Sequence, residues 1–288
     1  MKRAVLAVIH FFGRGLGWLA HITGSEYARV ARININLVFP ELSAAEAQLL
    51  YRRSMAELGK LTLEMLLNCC LPGGFLKKQI RQIHGETHFQ RALAEKRGIV
   101  LIMPHLGNWE VLNLFVGHHG PYALYRPIEN RFWDKMVTRS RERPGTRMVP
   151  FTVSGVRRLY HVLEQNGIIE VLPDQLPDGP GMVVVDFLNV PARTGTMVSR
   201  MVQKTRPAVI CCYARRLPRA RGFDIHLMPA LEGVYAPDLT AATAALNKSM
   251  DLLIKLSPEQ YLWGYKRFKY TVDPGLYSRN RSPAKNSE

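Results

Sequence analysis

The sequence predicts an α/β fold: a single domain with a mostly parallel central sheet flanked by helices, plus an N-terminal helical extension. Three observations predict it. Short apolar runs alternate with amphipathic stretches from about residue 99 to residue 256, the order expected of strand and helix in turn. A length of 288 residues with 47% hydrophobic and 22% charged residues suits a buried core and argues against disorder. No internal repeat and no Pro- or Gly-rich linker divides the chain.

In chain order, residues 1–40 come first as an apolar, membrane-associating segment. "MKRAVLAVIHFFGRGLGWLAHITG" opens on two basic residues and turns apolar, but His10, Arg14 and three glycines interrupt it before His21. A clean span needs about 18 or more apolar residues. The segment is therefore expected to lie in, or shallowly enter, a membrane surface. A single span and a soluble helix are the alternatives, and a cleaved signal peptide lacks its small-residue site. Residues 41–277 form the α/β domain, and residues 278–288 ("SRNRSPAKNSE") read as a disordered tail.

Ser43 with Glu46 forms a capping box that opens a long helix to about Leu67, ended by Pro72, Gly73 and Gly74. A second helix covers Glu86 to Lys96 and stops at Gly98. The expected strands are Ile99–Met103, Tyr122–Tyr125, Ile168–Leu172, Val183–Phe187, Ala208–Tyr213 and Phe223–Met228. The helices between them are Asn108–His118, Asn130–Glu142, Ser154–Gln165 and Gly195–Thr205. A last helix follows Pro237 and reaches about Leu256.

The charge balance is strongly basic, 39 Lys and Arg against 23 Asp and Glu, a net charge of +16. Such an excess implies an anionic partner. The C-terminal "WGYKRFKY" interleaves cations with aromatics, which suits a membrane interface as well as single-stranded nucleic acid. No nucleic-acid module signature accompanies it, so nucleic acid is not expected as a partner. The four cysteines fall as adjacent pairs, Cys69-Cys70 and Cys211-Cys212, without a C-x-x-C. They read as buried, reduced thiols, with no metal site.

Two stretches match H-x-x-x-x-[DE]: His21 with Glu26 and His105 with Glu110. On an unbroken helix, positions five apart point about 140° apart. Contact therefore requires His105 in a strand-to-helix turn and Glu110 in the first turn of the helix. Pro104 disfavours helix before it, Gly107 permits a tight turn, and Asn108 can cap a helix carrying Glu110. The end of a parallel strand is also where open α/β sheets place their sites. His21 has no such strand. A His–carboxylate pair is the base half of a triad without its own nucleophile, suited to activating a hydroxyl supplied by a substrate. In that arrangement Glu110 fixes the tautomer of His105, and a backbone N–H near Gly107 is a candidate oxyanion donor.

Five blocks then occur in order: "HLGNWE" at 105–110, "YRPIEN" at 125–130, "LPDQLPDGPG" at 172–181, "VPARTGT" at 190–196 and "PEQYLWGYKRFK" at 258–269. Together they resemble the late (lauroyl/myristoyl) acyltransferases of lipid A biosynthesis, within the lysophospholipid acyltransferase superfamily. The likeness runs from about residue 40 to 277. It implies acyl transfer from an acyl carrier protein thioester, with no cofactor, to a hydroxyl on a lipid A precursor or another anionic glycolipid. It also implies work at the cytoplasmic face of a bacterial inner membrane, on its anionic leaflet. By the resemblance, His105 is the general base and Glu110 its partner. Asn108 and Gly107 lie in the same block, Arg126 holds an acceptor phosphate, and Asp174 and Gln175 flank the cleft. The alternatives are a related acyltransferase for another glycolipid, a lysophospholipid or an aminolipid, or a non-catalytic lipid-binding homologue. The chain departs from the pattern at Phe187-Leu188-Asn189, where Phe-Phe-Gly is usual, and at Tyr265–Lys269, where His-Arg-Arg-Phe-Lys is usual. Its N-terminal anchor is also more polar than a typical one.

Overall fold

A computed structural model describes residues 2–70, 74–176 and 181–278. The chain begins with three helices, α1 (Lys2–Ile22), α2 (Glu26–Val38) and α3 (Ala44–Cys70). There follow β1 (Ile80–His84), α4 (Glu86–Glu95), β2 (Ile99–Ile102), α5 (Trp109–Val116), β3 (Tyr122–Tyr125) and α6 (Arg131–Glu142). Next come β4 (Arg147–Pro150), α7 (Val153–Glu164), β5 (Ile168–Val171), β6 (Met182–Phe187), β7 (Val190–Gly195) and α8 (Met197–Thr205). The chain closes with β8 (Ala208–Arg216), β9 (Phe223–Pro229) and α9 (Leu239–Leu256).

Seven strands form one sheet in the order β1-β9-β8-β2-β5-β3-β4. Every pairing is parallel except β8 with β9. The alternation of apolar runs and helices therefore has the expected result, a mixed α/β fold on a mostly parallel sheet. The central strands are buried on both faces, as parallel strands under helices must be. Val100, Ile102, Ile169, Val171, Val209 and Cys211 enter one apolar cluster with α2, α7, α8 and α9. Ile99, Leu101, Ile168, Ala208, Ile210 and Cys212 enter the other with α4 and α5.

One expected strand belongs elsewhere. Residues 182–187 pair with β7 in a separate antiparallel hairpin, not in the main sheet. Leu188 and Asn189 make its turn with both φ positive, at 52° and 62°, the geometry of a type I′ hairpin turn. Edge strands β1 and β4 were not expected, because each is short and partly exposed. The capping box holds: Ser43 N–H donates to Glu46 Oε2 at 2.9 Å, and Glu46 N–H donates to Ser43 Oγ at 3.3 Å. Pro72, Gly73, residues 177–180 and residues 279–288 lie outside the described residues. Cys211 and Cys212 are buried in β8, but Cys69 is only half-buried and Cys70 is exposed. The expectation of four buried thiols thus fails for the pair at the exposed end of α3.

Among the described residues, Arg3–Ile22 is a helix long and apolar enough to cross a membrane by length and composition. It also packs. Leu6, His10, Gly13 and Gly17 are buried, and a Cβ on Gly13, Gly17 or Gly59 would collide with backbone of the facing helix. The interrupting glycines of the sequence are what lets α1 lie against α3. The other face exposes Val5, Val8, Phe11, Phe12, Leu16, Trp18, Leu19 and Ile22.

Candidate active site

The site forms where three central strands end. β2 is paired on one side with β5 and on the other with β8, and its carboxyl end runs through Met103 and Pro104 into His105. Gly107 has φ +65°, and a Cβ there would strike the carbonyl of Ala214. This is a position that requires glycine. Asn108 then caps α5, its Oδ1 accepting from Val111 N–H at 3.1 Å. The strand–turn–helix geometry drawn from Pro104, Gly107 and Asn108 is present as expected.

The carboxylate on His105 is not the expected one. His105 Nδ1 lies 2.8 Å from Asp174 Oδ1, and His105 N–H donates to Asp174 Oδ2 at 2.9 Å. Tyr261 OH also donates to Asp174 Oδ2, at 3.1 Å. Burial would raise the pKa of Asp174, but the charge and hydrogen bonds of His105 outweigh it and hold the carboxyl below its ordinary value. Asp174 is therefore an anion that fixes the ring through Nδ1. His105 also lines a cavity, and with Nδ1 on Asp174 its Nε2 is the remaining ring nitrogen. Trp109 packs edge-on against the ring, 5.1 Å between centroids.

Glu110 sits in the first turn of α5, where the sequence placed it, but it faces α6. Arg141 donates to Glu110 Oε1 through Nε at 3.0 Å and Nη2 at 2.7 Å. The reason is directional. The second position of α5 turns this side chain toward the neighbouring helix, while the end of β5 delivers Asp174 to the imidazole. Beside the pair lies Glu170, in the middle of β5 and buried. Burial, with Glu110 adding like charge, pushes its pKa up to about 8. Glu110 Oε2 and Glu170 Oε1 have no hydrogen-bond partner among the described residues.

Asn108 and Gly107 act on the turn and not on the cavity. Asn108 Nδ2 donates to Glu64 Oε2 at 2.8 Å. Gly107 N–H donates to Gln260 O at 3.0 Å. The N–H of Asn108 goes to Ala214 O and that of Leu106 to Pro104 O. The N–H groups of Leu106, Gly107 and Asn108 are thus occupied, which removes these three as oxyanion donors. Arg126 and Gln175, by contrast, line the cavity with His105, Glu110, Arg141, Glu170 and Tyr265. That cavity has a volume of about 410 Å³, and its remaining walls include Met103, Leu124, Met148, Phe151, Leu172 and Leu176. It is a concave, largely apolar space with convergent polar groups, the usual form of a ligand site.

Sequence reasoning missed Tyr261, Arg141, Glu170 and Glu64. Glu170 carried a signal, a carboxylate inside the apolar run "GIIEVL". Glu64 is fully buried in α3 and accepts from His10, Asn108 and Arg216, and Arg216 also donates to Glu57 at 2.8 Å. Tyr265, one of the departures, holds the segment after Asp174: its OH accepts from Leu176 N–H at 2.8 Å. Arg267, which matches the usual pattern, is buried and donates to Arg193 O and Thr194 of the hairpin. Among the described residues, no cluster of His, Cys, Asp or Glu is arranged to hold a metal ion.

The sequence profile of the bacterial lipid A biosynthesis acyltransferases matches residues 6–270. The lipid A biosynthesis palmitoleoyltransferase of Escherichia coli (strain K12) is 27% identical over 91% of this chain and 85% of its own length. The lauroyltransferase of the same organism is 26% identical over 94% of this chain and 88% of its own. The phosphatidylinositol mannoside acyltransferase of Mycobacterium tuberculosis is 28% identical over 83% and 76%. With the profile covering nearly the whole chain and a poised histidine over an apolar cavity, the chain belongs to the bacterial lipid A biosynthesis acyltransferase family and is an acyltransferase.

Proposed function

We propose that the chain transfers a fatty acyl group from an acyl-carrier-protein thioester to a hydroxyl of a lipid A precursor. The observation that carries the mechanism is the 2.8 Å contact of His105 Nδ1 with buried Asp174, at the edge of an apolar cavity. Nε2 of His105 takes the proton of the acceptor hydroxyl, whose oxygen attacks the thioester carbonyl carbon. The C–S bond then breaks, and the thiolate receives the proton from the imidazolium. Asp174 holds the tautomer and balances the imidazolium charge. Glu110, which the H-x-x-x-x-E spacing pairs with His105, supports the cavity wall through Arg141 instead. Gln175 and Arg126 line the same cavity; in this reading the amide of Gln175 donates to the developing oxyanion and Arg126 is the cation for an acceptor phosphate.

The exposed apolar face of α1 and the basic surface hold the protein on the anionic inner leaflet, at its cytoplasmic face. A second acceptor, another anionic glycolipid, is supported by the likeness to the mannoside acyltransferase. Incubation of the protein with acyl carrier thioester and lipid A precursor, read by mass spectrometry, tests the reading. His105→Ala should abolish transfer, and Asp174→Asn should lower it by about 10³-fold or more while both variants keep their fold. Full transfer by a folded His105→Ala protein would overturn the mechanism. Transfer only to a different glycolipid would decide for the second acceptor.

A further inference from the structure

A second exposed apolar patch lies far along the chain from α1, at the rim of the cavity. Strands β3 and β4 pair directly, Tyr125 opposite Pro150, so their outgoing loops emerge side by side. Phe151 N–H donates to Tyr125 O at 2.8 Å, tying the two loops together. Asn130 caps α6 and Thr152 caps α7, which places Phe132, Trp133 and Val153 in the first turns of the helices that follow these two paired strands. Their side chains are left in solvent: Phe132 is 69% exposed, Val153 71% and Trp133 47%, with Ile128 and Phe151 also exposed. Phe132 and Trp133 stack edge-on at 5.5 Å, giving one aromatic knob. Phe151 and Tyr125 at the base of this knob line the cavity that holds His105.

The surround is cationic. Exposed Arg131 and Lys135 in the first turns of α6, and Arg157 one turn on from Val153 in α7, stand beside it, against Glu129 and Asp134. Aromatics at headgroup depth with cations around them match an anionic bilayer surface. An acidic protein would meet the cations but would have no use for bare Phe132 and Val153. We propose that the α6–α7 knob is a second membrane seat, independent of α1, which sets the cavity mouth against an anionic bilayer. A lipid acceptor then reaches His105 without leaving the membrane. That purpose rests on the proposed reaction; the seat itself does not, and its test needs no turnover.

The full chain is bound to phosphatidylglycerol/phosphatidylcholine vesicles carrying brominated acyl chains. Tryptophan emission is compared with that of Trp133→Phe, so that the difference reports Trp133. Quenching of that difference signal is expected, and its absence in vesicle-bound protein overturns the proposal. In a second arm, Phe132→Ser with Val153→Ser should lower vesicle partitioning roughly tenfold with an unchanged melting curve. Unchanged partitioning would overturn the seat. So would loss of acyl carrier protein binding with vesicle binding intact, since the knob would then be a protein dock. Quenching that persists in His105→Ala separates the seat from the reaction.

Discussion

Two buried carboxylates flank the turn that carries His105, and they are kept in opposite states. Glu64, on the α1–α3 side, accepts from His10 Nε2 at 2.6 Å, from Asn108 Nδ2 and from two nitrogens of Arg216. Burial would raise its pKa, but the Arg216 guanidinium and its hydrogen bonds, with His10 adding to them, win and bring it to about 2. Glu170, on the cavity side, lacks a partner for Oε1 among the described residues and rises to about 8. Depth is the same in both. The charge beside each carboxylate decides its state, the Arg216 guanidinium and its donors at Glu64 and the like charge of Glu110 at Glu170. One side of the turn is a saturated strut, and the other is a wall with acceptor capacity left over.

Predictions follow from removing what distinguishes the two sides. Glu64→Leu should be the most damaging, because it strands Arg216 and His10 in the interior. A loss of about 3–5 kcal/mol in denaturant titration is expected, and a loss below 1 kcal/mol would show that the strut is not needed. Arg141→Met removes the donors of Glu110 and should cost ~2 kcal/mol. Adding Glu110→Leu should restore part of that, since the pair, once absent together, leaves no orphaned charge.

The two carboxylates should also give opposite pH signatures. Glu170 has its folded pKa raised from 4.5 to about 8. The folded state therefore holds the proton longer, and stability contributed by this group falls as pH rises from about 4.5 to 8. Glu64 has its folded pKa lowered, so its contribution is present above about 4.5 and is lost as pH falls toward 2. Glu170→Gln should flatten the upper window by up to a few kcal/mol and leave the acid limb unchanged. An identical fall in stability between pH 5 and 8 in this variant would refute the assignment. Last, His10→Ala removes one of several donors to Glu64 and should cost only about 1–2 kcal/mol, read as a shifted melting temperature.

The contrast also explains what could be read from the sequence. The turn was legible because its determinants are local: Pro104, Gly107 and Asn108 act within a few residues of His105. The capping box at Ser43 and the central strands were legible for the same reason. The partner of His105 was not. Asp174 arrives from the end of β5, 69 residues away, because β2 and β5 are neighbours in the sheet. Glu110 was the nearer carboxylate along the chain, and no local rule says which face of α5 meets α6. The resemblance had placed Asp174 and Gln175 near the cleft without a contact. β7 was missed as a strand because "VPARTG" carries a proline and two polar side chains, yet its hairpin tolerates them outside the main sheet.

The stripe of Leu6, His10, Gly13 and Gly17 on α1 bears on how the protein should be handled. A soluble form made by deleting the first 24 residues would uncover Met55, Gly59 and Glu64 on α3 and remove a donor from the strut under the turn that carries His105. The product would be a weakened enzyme and not a trimmed one. Recoding the outward positions Phe11, Phe12, Trp18 and Leu19 to polar helix formers keeps the buried stripe intact. Solubility and folding thus reside on opposite faces of the same helix and can be engineered apart.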